Sequence, residues 1–140
     1  MKTYRIEVAI SYSSAQEEYV TKCATNIQQM GLNFWYYPFE KAKIVGEDLT
    51  EYLTRVYKEW ARMCVMFISK EYVASAWARL ERKAALSRQL MEDSVYIIPI
   101  RFDNTEVPGL DPEIAYLRRI DYTEEELAKV IRDRYYALKP

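Results

Sequence analysis

Short apolar segments alternate with amphipathic segments along the whole chain. The segment YRIEVAISY predicts a first strand over residues 4–11, and the continuous apolar runs CVMFIS and VYIIPIRF predict two strands that are buried on both faces. The segment LNFWYY predicts a further strand that is closed by Pro38, and a short last strand is predicted at residues 117–120. These runs are too short for helices and lie between polar segments, which is typical of an internal sheet.

The segments between the strands carry residues at helical spacing. A capping box of Ser14 and Glu17 predicts the start of the first helix, which is expected to end at Gly31. A second capping box, Thr123 with Glu126, predicts the start of the last helix. The inward positions of the four predicted helices are Tyr19, Val20, Cys23, Ala24 and Ile27; Leu49, Tyr52, Leu53, Val56 and Tyr57; Trp77, Leu80, Ala84 and Ser87; and Leu127, Val130 and Ile131.

Strands that alternate with helices predict right-handed crossovers and a parallel sheet covered on both faces. We therefore expect an α/β fold, a flavodoxin-like three-layer sandwich with a five-stranded parallel sheet, formed as a single domain over residues 1–140. Ligands of such sheets bind beyond the carboxyl ends of the strands, near the point where the strand order reverses. This rule nominates four loops as the binding site, at residues 11–14, 39–48, 69–77 and 101–108.

Composition excludes several classes of function. The 20 basic and 21 acidic residues give a net charge of −1, which favours neither a nucleic-acid partner nor an anionic membrane. No segment approaches the length of an apolar membrane span. Cys23 and Cys64 lie in apolar runs, as expected for reduced thiols in a cytoplasmic protein. The chain has no histidine, which argues against most zinc sites and catalytic triads, and no metal site is expected.

Missing residues exclude other proteins of the predicted fold. A receiver domain needs acidic residues after its first and third strands, where this chain reads SYSS and ISKEY. A flavodoxin needs a phosphate loop rich in glycine and hydroxyl groups, and YSSAQEE is too acidic. The three glycines, Gly31, Gly46 and Gly109, form neither a Walker sequence nor a dinucleotide fingerprint.

Four motifs, in order and over almost the whole chain, resemble the Toll/interleukin-receptor (TIR) domain family. VAISYSS is similar to the first, and FWYYPFEKAKIVGEDL is similar to the strand and long BB loop, with Gly46 at its centre. CVMFISKEYVASAWARLE resembles the third, in which Ser69 and Tyr72 precede Trp77 and Glu81. YIIPIRFDNTEVPGL resembles the fourth strand and loop of stand-alone bacterial members. The resemblance is to the bacterial branch that cleaves NAD.

The resemblance implies an enzyme that breaks the nicotinamide–ribose bond of NAD, with Glu81 as the catalytic residue. Such cleavage creates an oxocarbenium-like centre, which carboxylates stabilise, and the cationic ring departs neutral without needing a general acid. NAD would be the substrate, with no further cofactor. The products would be nicotinamide with ADP-ribose or a cyclic ADP-ribose isomer, in antiphage defence. The substrate-binding residues would be Ser11, Tyr12, Ser13, Glu40, Lys41 and Trp77.

The resemblance also implies other TIR domains as partners, in a homo-oligomer or filament that completes the site and raises the activity. Contacts would involve the BB loop residues Ala42, Lys43, Ile44, Val45 and Gly46. A sensor domain in the same protein, beyond Pro140, stays open at this point. Two departures from the family pattern bear on the substrate contacts, namely Tyr37 where many relatives have aspartate and Val45 where close bacterial relatives have tryptophan.

Each of these candidate residues also has an ordinary structural interpretation. Glu81 could be a solvated helix residue that pairs with Arg82 or Lys83, and Trp77 could be a core anchor rather than a wall for a ring. Tyr12 could be an ordinary aromatic residue at a strand end, and charges of the BB loop could simply be solvated. For the whole chain the alternatives are a non-catalytic TIR–TIR interaction module and a domain that binds NAD without turnover.

Overall fold

A five-stranded parallel sheet forms the centre of the computed structural model, which describes residues 4–138. The strand order is β2-β1-β3-β4-β5, as in flavodoxin-like proteins. The strands are β1 (Ile6–Ser11), β2 (Phe34–Trp35), β3 (Ala61–Ile68), β4 (Ile97–Arg101) and β5 (Leu117–Arg118). The predicted fold class is thereby confirmed.

Helices cover both faces of the sheet. They are α1 (Glu17–Gln29), α2 (Tyr37–Ile44), α3 (Leu49–Arg55), α4 (Lys70–Ala74), α5 (Ala76–Met91) and α6 (Glu124–Ala137). Short 3₁₀ turns occupy Ser14–Gln16 and Arg119–Asp121, and a single π turn, Val56–Trp60, joins α3 to β3.

The core lies in two layers, one on each side of the sheet. On one side, α1 and α6 contribute buried residues such as Val20, Ile27 and Leu127. On the other side, α3, the π turn and α4 contribute Leu53, Tyr57 and Tyr72. Every residue of β3 is buried, because this central strand is covered on both faces. Its continuous apolar sequence follows from that position.

The region after β2 differs from the sequence prediction. We predicted a strand through LNFWYY, closed by Pro38, followed by a loop at residues 39–48; instead β2 is two residues long and α2 begins at Tyr37. Pro38 lies in the first turn of α2, where a missing backbone N–H costs no hydrogen bond. Proline therefore begins a helix here rather than ending a strand.

The inward face of α5 was also predicted wrongly. The prediction placed Trp77, Leu80, Ala84 and Ser87 on one buried stripe, but Leu80 is exposed and Trp77 is only partly buried. The buried residues of this helix are Ala78, Glu81, Arg82, Ala84, Ala85 and Arg88. Three of them are charged residue types, which a search for apolar periodicity assigns to the solvent side.

The two predicted capping boxes have different outcomes. The box of Thr123 and Glu126 at the start of α6 is confirmed, with both of its hydrogen bonds present. The box of Ser14 and Glu17 is wrong, because a 3₁₀ turn precedes α1 and it is the Ser13 hydroxyl that accepts a hydrogen bond from the Ala15 N–H. Over residues 4–138, none of the helices combines the length and the apolar character that crossing a membrane requires.

Leucine truncations test the assigned core. Leu53 of α3 is 1% exposed, whereas Leu90 of α5 is 85% exposed. We expect Leu53→Ala to lower the free energy of unfolding by about 2–5 kcal/mol, because it removes packed methyl groups and leaves a cavity. Leu90→Ala should change it by less than about 0.5 kcal/mol. Urea unfolding measures both, and equal effects of the two variants would contradict the packing described for α3.

Candidate active site

The carboxyl ends of β1 and β3 meet at the point where the strand order reverses. Ser11 is the last residue of β1 and pairs in register with Met66 of β3. After β3 the chain forms α4 and then α5, which returns over the same end of the sheet and carries Glu81. This position is the usual ligand site of the fold.

The Glu81 side chain is fully buried, with 0% of its surface exposed. Ser11 Oγ donates a hydrogen bond to Oε1 over 3.0 Å. Oε2 has two partners, the Tyr57 hydroxyl at 3.0 Å and the Trp77 indole Nε1 at 3.2 Å. Trp77 reaches the carboxyl group because residues four apart lie on the same face of a helix. The interpretation of Glu81 as a solvated residue paired with Arg82 or Lys83 is wrong.

Burial without a cation controls the charge of this group. Removal from water raises the pKa of Glu81 from its ordinary value of 4.5 to about 8, although the hydrogen bonds from Ser11, Tyr57 and Trp77 act to lower it. In this closed arrangement the neutral acid predominates at pH 7. No salt bridge to Glu81 occurs within residues 4–138.

Two buried tyrosines complete the surroundings of the carboxyl group. The Tyr72 hydroxyl lies 2.7 Å from Ser11 Oγ, and the Tyr57 hydroxyl lies 2.7 Å from the carbonyl oxygen of Ile10. From the sequence, Tyr57 was predicted only as a core residue, and Tyr72 was identified only as part of a family motif. The sequence did contain a signal for these contacts. A tyrosine predicted to face the core needs a hydrogen-bond partner for its hydroxyl, which indicates a polar group nearby.

A cavity of about 220 Å³ lies beside the buried carboxyl group. Its lining consists of Tyr12, Ser14, Glu17, Tyr37, Lys41, Ser75 and Trp77. Trp77 therefore both lines the cavity and donates a hydrogen bond to Glu81, while Glu81 itself is not part of the lining. The Tyr37 ring packs on the indole with its centroid 4.3 Å away. Glu81 is thus held by one member of this aromatic pair, through the hydrogen bond from the Trp77 indole N–H.

Only some of the predicted substrate-binding residues come together. Tyr12, Lys41 and Trp77 line the cavity, and the Tyr12 hydroxyl donates a hydrogen bond to Glu17. Ser11 contacts Glu81 directly. The remaining two lie outside the lining, because Ser13 caps the 3₁₀ turn and Glu40 pairs with Lys43 at 3.3 Å.

The predicted BB loop is mostly helical. Ala42, Lys43 and Ile44 form the end of α2, and of these Ile44 is buried. Val45 follows with 82% of its surface exposed, and Gly46 has a φ of 93°, a conformation that favours glycine. The exposed end of α2 is thus connected through one short helix to Tyr37, which covers Trp77.

A second cavity and the arrangement of the acidic and cysteine residues help to choose between candidate sites. A larger cavity of about 560 Å³ lies between α1 and the start of α6, and its lining includes Tyr19, Phe102 and Arg119 but no predicted site residue. Within the described part of the chain, no group of three or more Cys, Asp or Glu residues is arranged to hold a metal ion. The β1–β3 position, which holds the buried carboxyl group, is the better candidate.

Comparison with known proteins identifies the family. A family model for the TIR domain matches residues 8–132. The chain belongs to the TIR domain family. This TIR domain is 35% identical over 133 residues to 3' cyclic ADP-D-ribose synthase AaTIR of Aquimarina amphilecti, an alignment that covers 95% of this chain and 41% of the relative.

A second relative is NAD(+) hydrolase TirS of Staphylococcus aureus (strain MSSA476), which is 29% identical over 133 residues, covering 89% of this chain and 46% of that protein. The chain therefore spans less than half the length of these two curated relatives. The expected limits of the domain, and the expected sensor domain in the same protein, stay predictions.

Solved structures share the fold. The TIR domain of the Toll-related receptor TRR-2 from Hydra magnipapillata superposes with a TM-score of 0.64 at 18% identity, covering 96% of this chain and 93% of that one. A TIR-STING receptor from C. gigas, in complex with 2',3'-cGAMP, gives a TM-score of 0.64 at 15% identity, covering 94% of this chain and 41% of that one. At these identities the likeness concerns architecture alone.

The buried carboxyl group should make stability depend on pH. Because the folded pKa of Glu81 is raised, its favourable contribution is fully present below pH 4.5 and is lost as the pH rises through about 8. A difference of that size corresponds to up to about 5 kcal/mol. We expect Glu81→Gln, which stays neutral, to become progressively more stable than the wild type between pH 5 and pH 8.

Urea unfolding of both proteins at several pH values measures this difference. Glu125→Gln is the control, because it neutralises an acid on the exposed side of α6 and should leave the pH dependence unchanged. A constant difference between wild type and Glu81→Gln across this range would mean that Glu81 is already ionised in the folded protein.

Proposed function

We propose that this TIR domain cleaves the bond between nicotinamide and ribose in NAD, with Glu81 as the catalytic residue. The observation that carries the proposal is a carboxyl group buried at the β1–β3 switch point, held by Ser11, Tyr57 and Trp77 beside an aromatic cavity. Perturbed pKa values cluster at functional sites, so a buried acid with a raised pKa beside a cavity is a functional-site candidate with a physical reason. The activities for which the two bacterial relatives are named support the same chemistry.

The reaction requires Glu81 as a carboxylate. Bond cleavage develops positive charge on the ribose, and an adjacent carboxylate stabilises that charge. The pyridinium ring leaves as neutral nicotinamide, so no proton donor is needed. Entry of a cationic ring beside Glu81 favours the charged form of the side chain and lowers its pKa, since an opposite charge counteracts the penalty of burial. Substrate binding therefore promotes the ionisation that catalysis needs.

The closed site must open before a dinucleotide can reach Glu81. The cavity of about 220 Å³ is smaller than typical ligand pockets of about 300–1,000 Å³, and its lining includes Trp77 but not Glu81. Tyr37 of α2 covers Trp77, and α2 leads to the exposed Val45. Contact between domains at this end of α2 would move Tyr37 and uncover the site. The proposal thus includes activation by oligomerisation.

The reaction has two outcomes, which differ in the group that captures the ribosyl cation. Water gives ADP-ribose, and a nucleophile from the substrate's own adenosine half gives a cyclic ADP-ribose isomer. One relative is named as a cyclic ADP-ribose synthase and the other as a hydrolase, so both outcomes belong to the proposal. Its biological setting would be bacterial antiphage defence in the cytoplasm, with other TIR domains and a sensor domain as partners.

Release of nicotinamide tests the catalytic assignment. We expect Glu81→Gln to lower the turnover number by about 100-fold or more, because one preorganised electrostatic group is lost at the developing charge. Glu125→Gln, the exposed acid on α6, should retain wild-type turnover. Chromatography of NAD incubations measures both and separates linear from cyclic products. A folded Glu81→Gln protein with unchanged turnover would remove Glu81 from the reaction.

Dependence on protein concentration tests the activation step. We expect the specific activity to rise as the domain is concentrated, since the isolated domain keeps Glu81 covered. Val45→Glu should remove this rise, whereas Leu90→Glu should retain it, because Leu90 is equally exposed but lies at the far end of α5. Light scattering on the same samples reports the assembly state. Specific activity that stays constant from dilute monomer to assembled protein would contradict this step.

A non-catalytic interaction module is the second candidate. The covered carboxyl group and the exposed Val45 at the end of α2 favour it. It requires that nicotinamide is absent from NAD incubations at every protein concentration while self-association persists. Affinity for NAD without nicotinamide release would instead indicate nucleotide binding without turnover.

A further inference from the structure

We propose that Tyr72 is a positioning residue that fixes the direction of the Ser11 proton, so that Ser11 donates its hydrogen bond to Glu81. Tyr72 belongs to α4 and has no direct hydrogen bond to Glu81. It would act through Ser11 alone. The inference rests on the proposed function of Glu81, although one of its tests is independent of that function.

Counting protons gives the direction of each hydrogen bond. The Tyr72 side chain is fully buried, and Ser11 Oγ, at 2.7 Å, is the one hydrogen-bond partner of its hydroxyl within residues 4–138. A buried O–H group needs an acceptor, so Tyr72 donates to Ser11. Serine also carries a single proton. The Ser11 proton is therefore free for Oε1 of Glu81, which lies 3.0 Å away.

The resulting chain runs from Tyr72 to Ser11 to Glu81. A hydroxyl that accepts one hydrogen bond becomes a better donor in the next, so Tyr72 strengthens the bond that Ser11 makes to Oε1. A stronger donor favours the carboxylate over the neutral acid. The chain thus opposes the effect of burial on Glu81 and supports the charged form that catalysis requires.

Tyr57 plays a different part, although it is nearer to the carboxyl group. Its hydroxyl lies 2.7 Å from the Ile10 carbonyl oxygen and 3.0 Å from Oε2 of Glu81. One phenolic proton serves both acceptors, so Tyr57 can turn from one to the other as the charge of Glu81 changes. Within residues 4–138 the Tyr72 hydroxyl has no such second acceptor, so its proton stays directed at Ser11.

The Tyr72 ring is held in place by contacts that do not involve its hydroxyl. The Ser69 hydroxyl caps α4 by accepting a hydrogen bond from the Tyr72 N–H. The Arg82 guanidinium donates to the Tyr72 carbonyl oxygen and lies 5.6 Å from the ring centroid. Phenylalanine at position 72 keeps all of these contacts. Tyr72→Phe is therefore a clean deletion of one hydroxyl.

Glu81 is the group that titrates near neutrality in this cluster. The surrounding ionisable groups are Tyr57 from the π turn, Cys64 from β3, Tyr72 from α4 and Arg82 from α5. Burial raises the pKa of Tyr57, of Cys64 and of Tyr72, so all three stay neutral up to pH 9. A midpoint between pH 5 and pH 9 at this site therefore reports on Glu81.

A double-mutant cycle tests whether Tyr72 acts through Ser11. We expect Tyr72→Phe to lower kcat by about three- to tenfold, the usual effect of one hydrogen bond, with KM for NAD unchanged. The acid limb of the pH–rate profile should move to higher pH. In the Ser11→Ala background the same substitution should change kcat by less than about twofold, because the chain is already broken. Equal factors in the two backgrounds would show a merely structural role and overturn the proposal.

Tyr19→Phe is the matched control. Tyr19 is a buried tyrosine of α1 whose hydroxyl donates to the Tyr122 carbonyl oxygen, on the other side of the sheet. Its substitution deletes one buried hydroxyl without touching the chain. It should leave kcat and the acid limb unchanged, and a loss as large as that of Tyr72→Phe would also overturn the proposal.

A carboxyl titration gives a readout that does not need activity. With carbon-13 at the glutamate carboxyl groups, NMR follows the midpoint of Glu81, assigned by its absence in Glu81→Gln. The midpoint should rise in Tyr72→Phe and in Ser11→Ala and should stay in place in Tyr19→Phe. An unchanged midpoint in either of the first two variants would overturn the proposal. Absence of nicotinamide release by the wild type would instead count against the proposed function.

Discussion

A buried acidic side chain that forms no salt bridge within residues 4–138 determines the electrostatics of this site. Glu81 has no exposed surface, and its partners Ser11, Tyr57 and Trp77 are neutral donors. Three donors are too few to offset the loss of hydration, so the folded state favours the protonated acid. Cleavage of a glycosidic bond to a cationic ring needs the opposite charge state. Packing therefore favours the protonated form of Glu81, whereas the proposed chemistry requires the ionised form.

Under the proposed function, opening of the site and ionisation of Glu81 are consequently one coupled event. Desolvation is the main cause of the raised pKa, and water or substrate that reaches the carboxyl group removes that cause. The proton is then released, and the charged form resists a return to the closed arrangement. By linkage, the free energy of opening falls as the pH rises toward the folded pKa. Under the proposed function, a covered site that opens in this way would give little activity to an isolated domain.

The architecture could be predicted from the sequence because the spacing of apolar residues and the helix caps are enough to locate most of the strands and helices. The apolar runs of β3 and β4 and the cap at Thr123 each determine an element locally. The segment after Trp35 was missed, since proline and several charges resemble a loop, and α2 is held instead by the burial of Ile44 and by Tyr37 against Trp77. That support comes from residues far away in the chain.

The surroundings of Glu81 were harder to predict for the same reason. Family resemblance singled out the glutamate, but its partners come from β1, the π turn and α4, which no local pattern connects. A helical face that includes Glu81, Arg82 and Arg88 is predicted from sequence to face solvent. Its burial becomes clear only when the hydrogen-bond and ion-pair partners of these side chains are known. Arg88 is an example, since it contacts Glu92 and the Tyr96 ring. Buried polar networks are tertiary features, and only the assembled fold reveals them.

Tyr37, a departure from the family pattern, belongs to the cover of the site. Its ring packs on Trp77 with a tilt of 55°, and the Lys41 amino group lies 5.6 Å from its ring centroid. Tyr37 and Lys41 share α2, so a displacement of this one helix moves the Tyr37 ring away from the indole and Lys41 away from the cavity lining. A small acidic residue at position 37 could not cover Trp77 in this way. The aromatic residue therefore strengthens the closed state, and with it the dependence of the proposed activity on contacts made at the exposed end of α2.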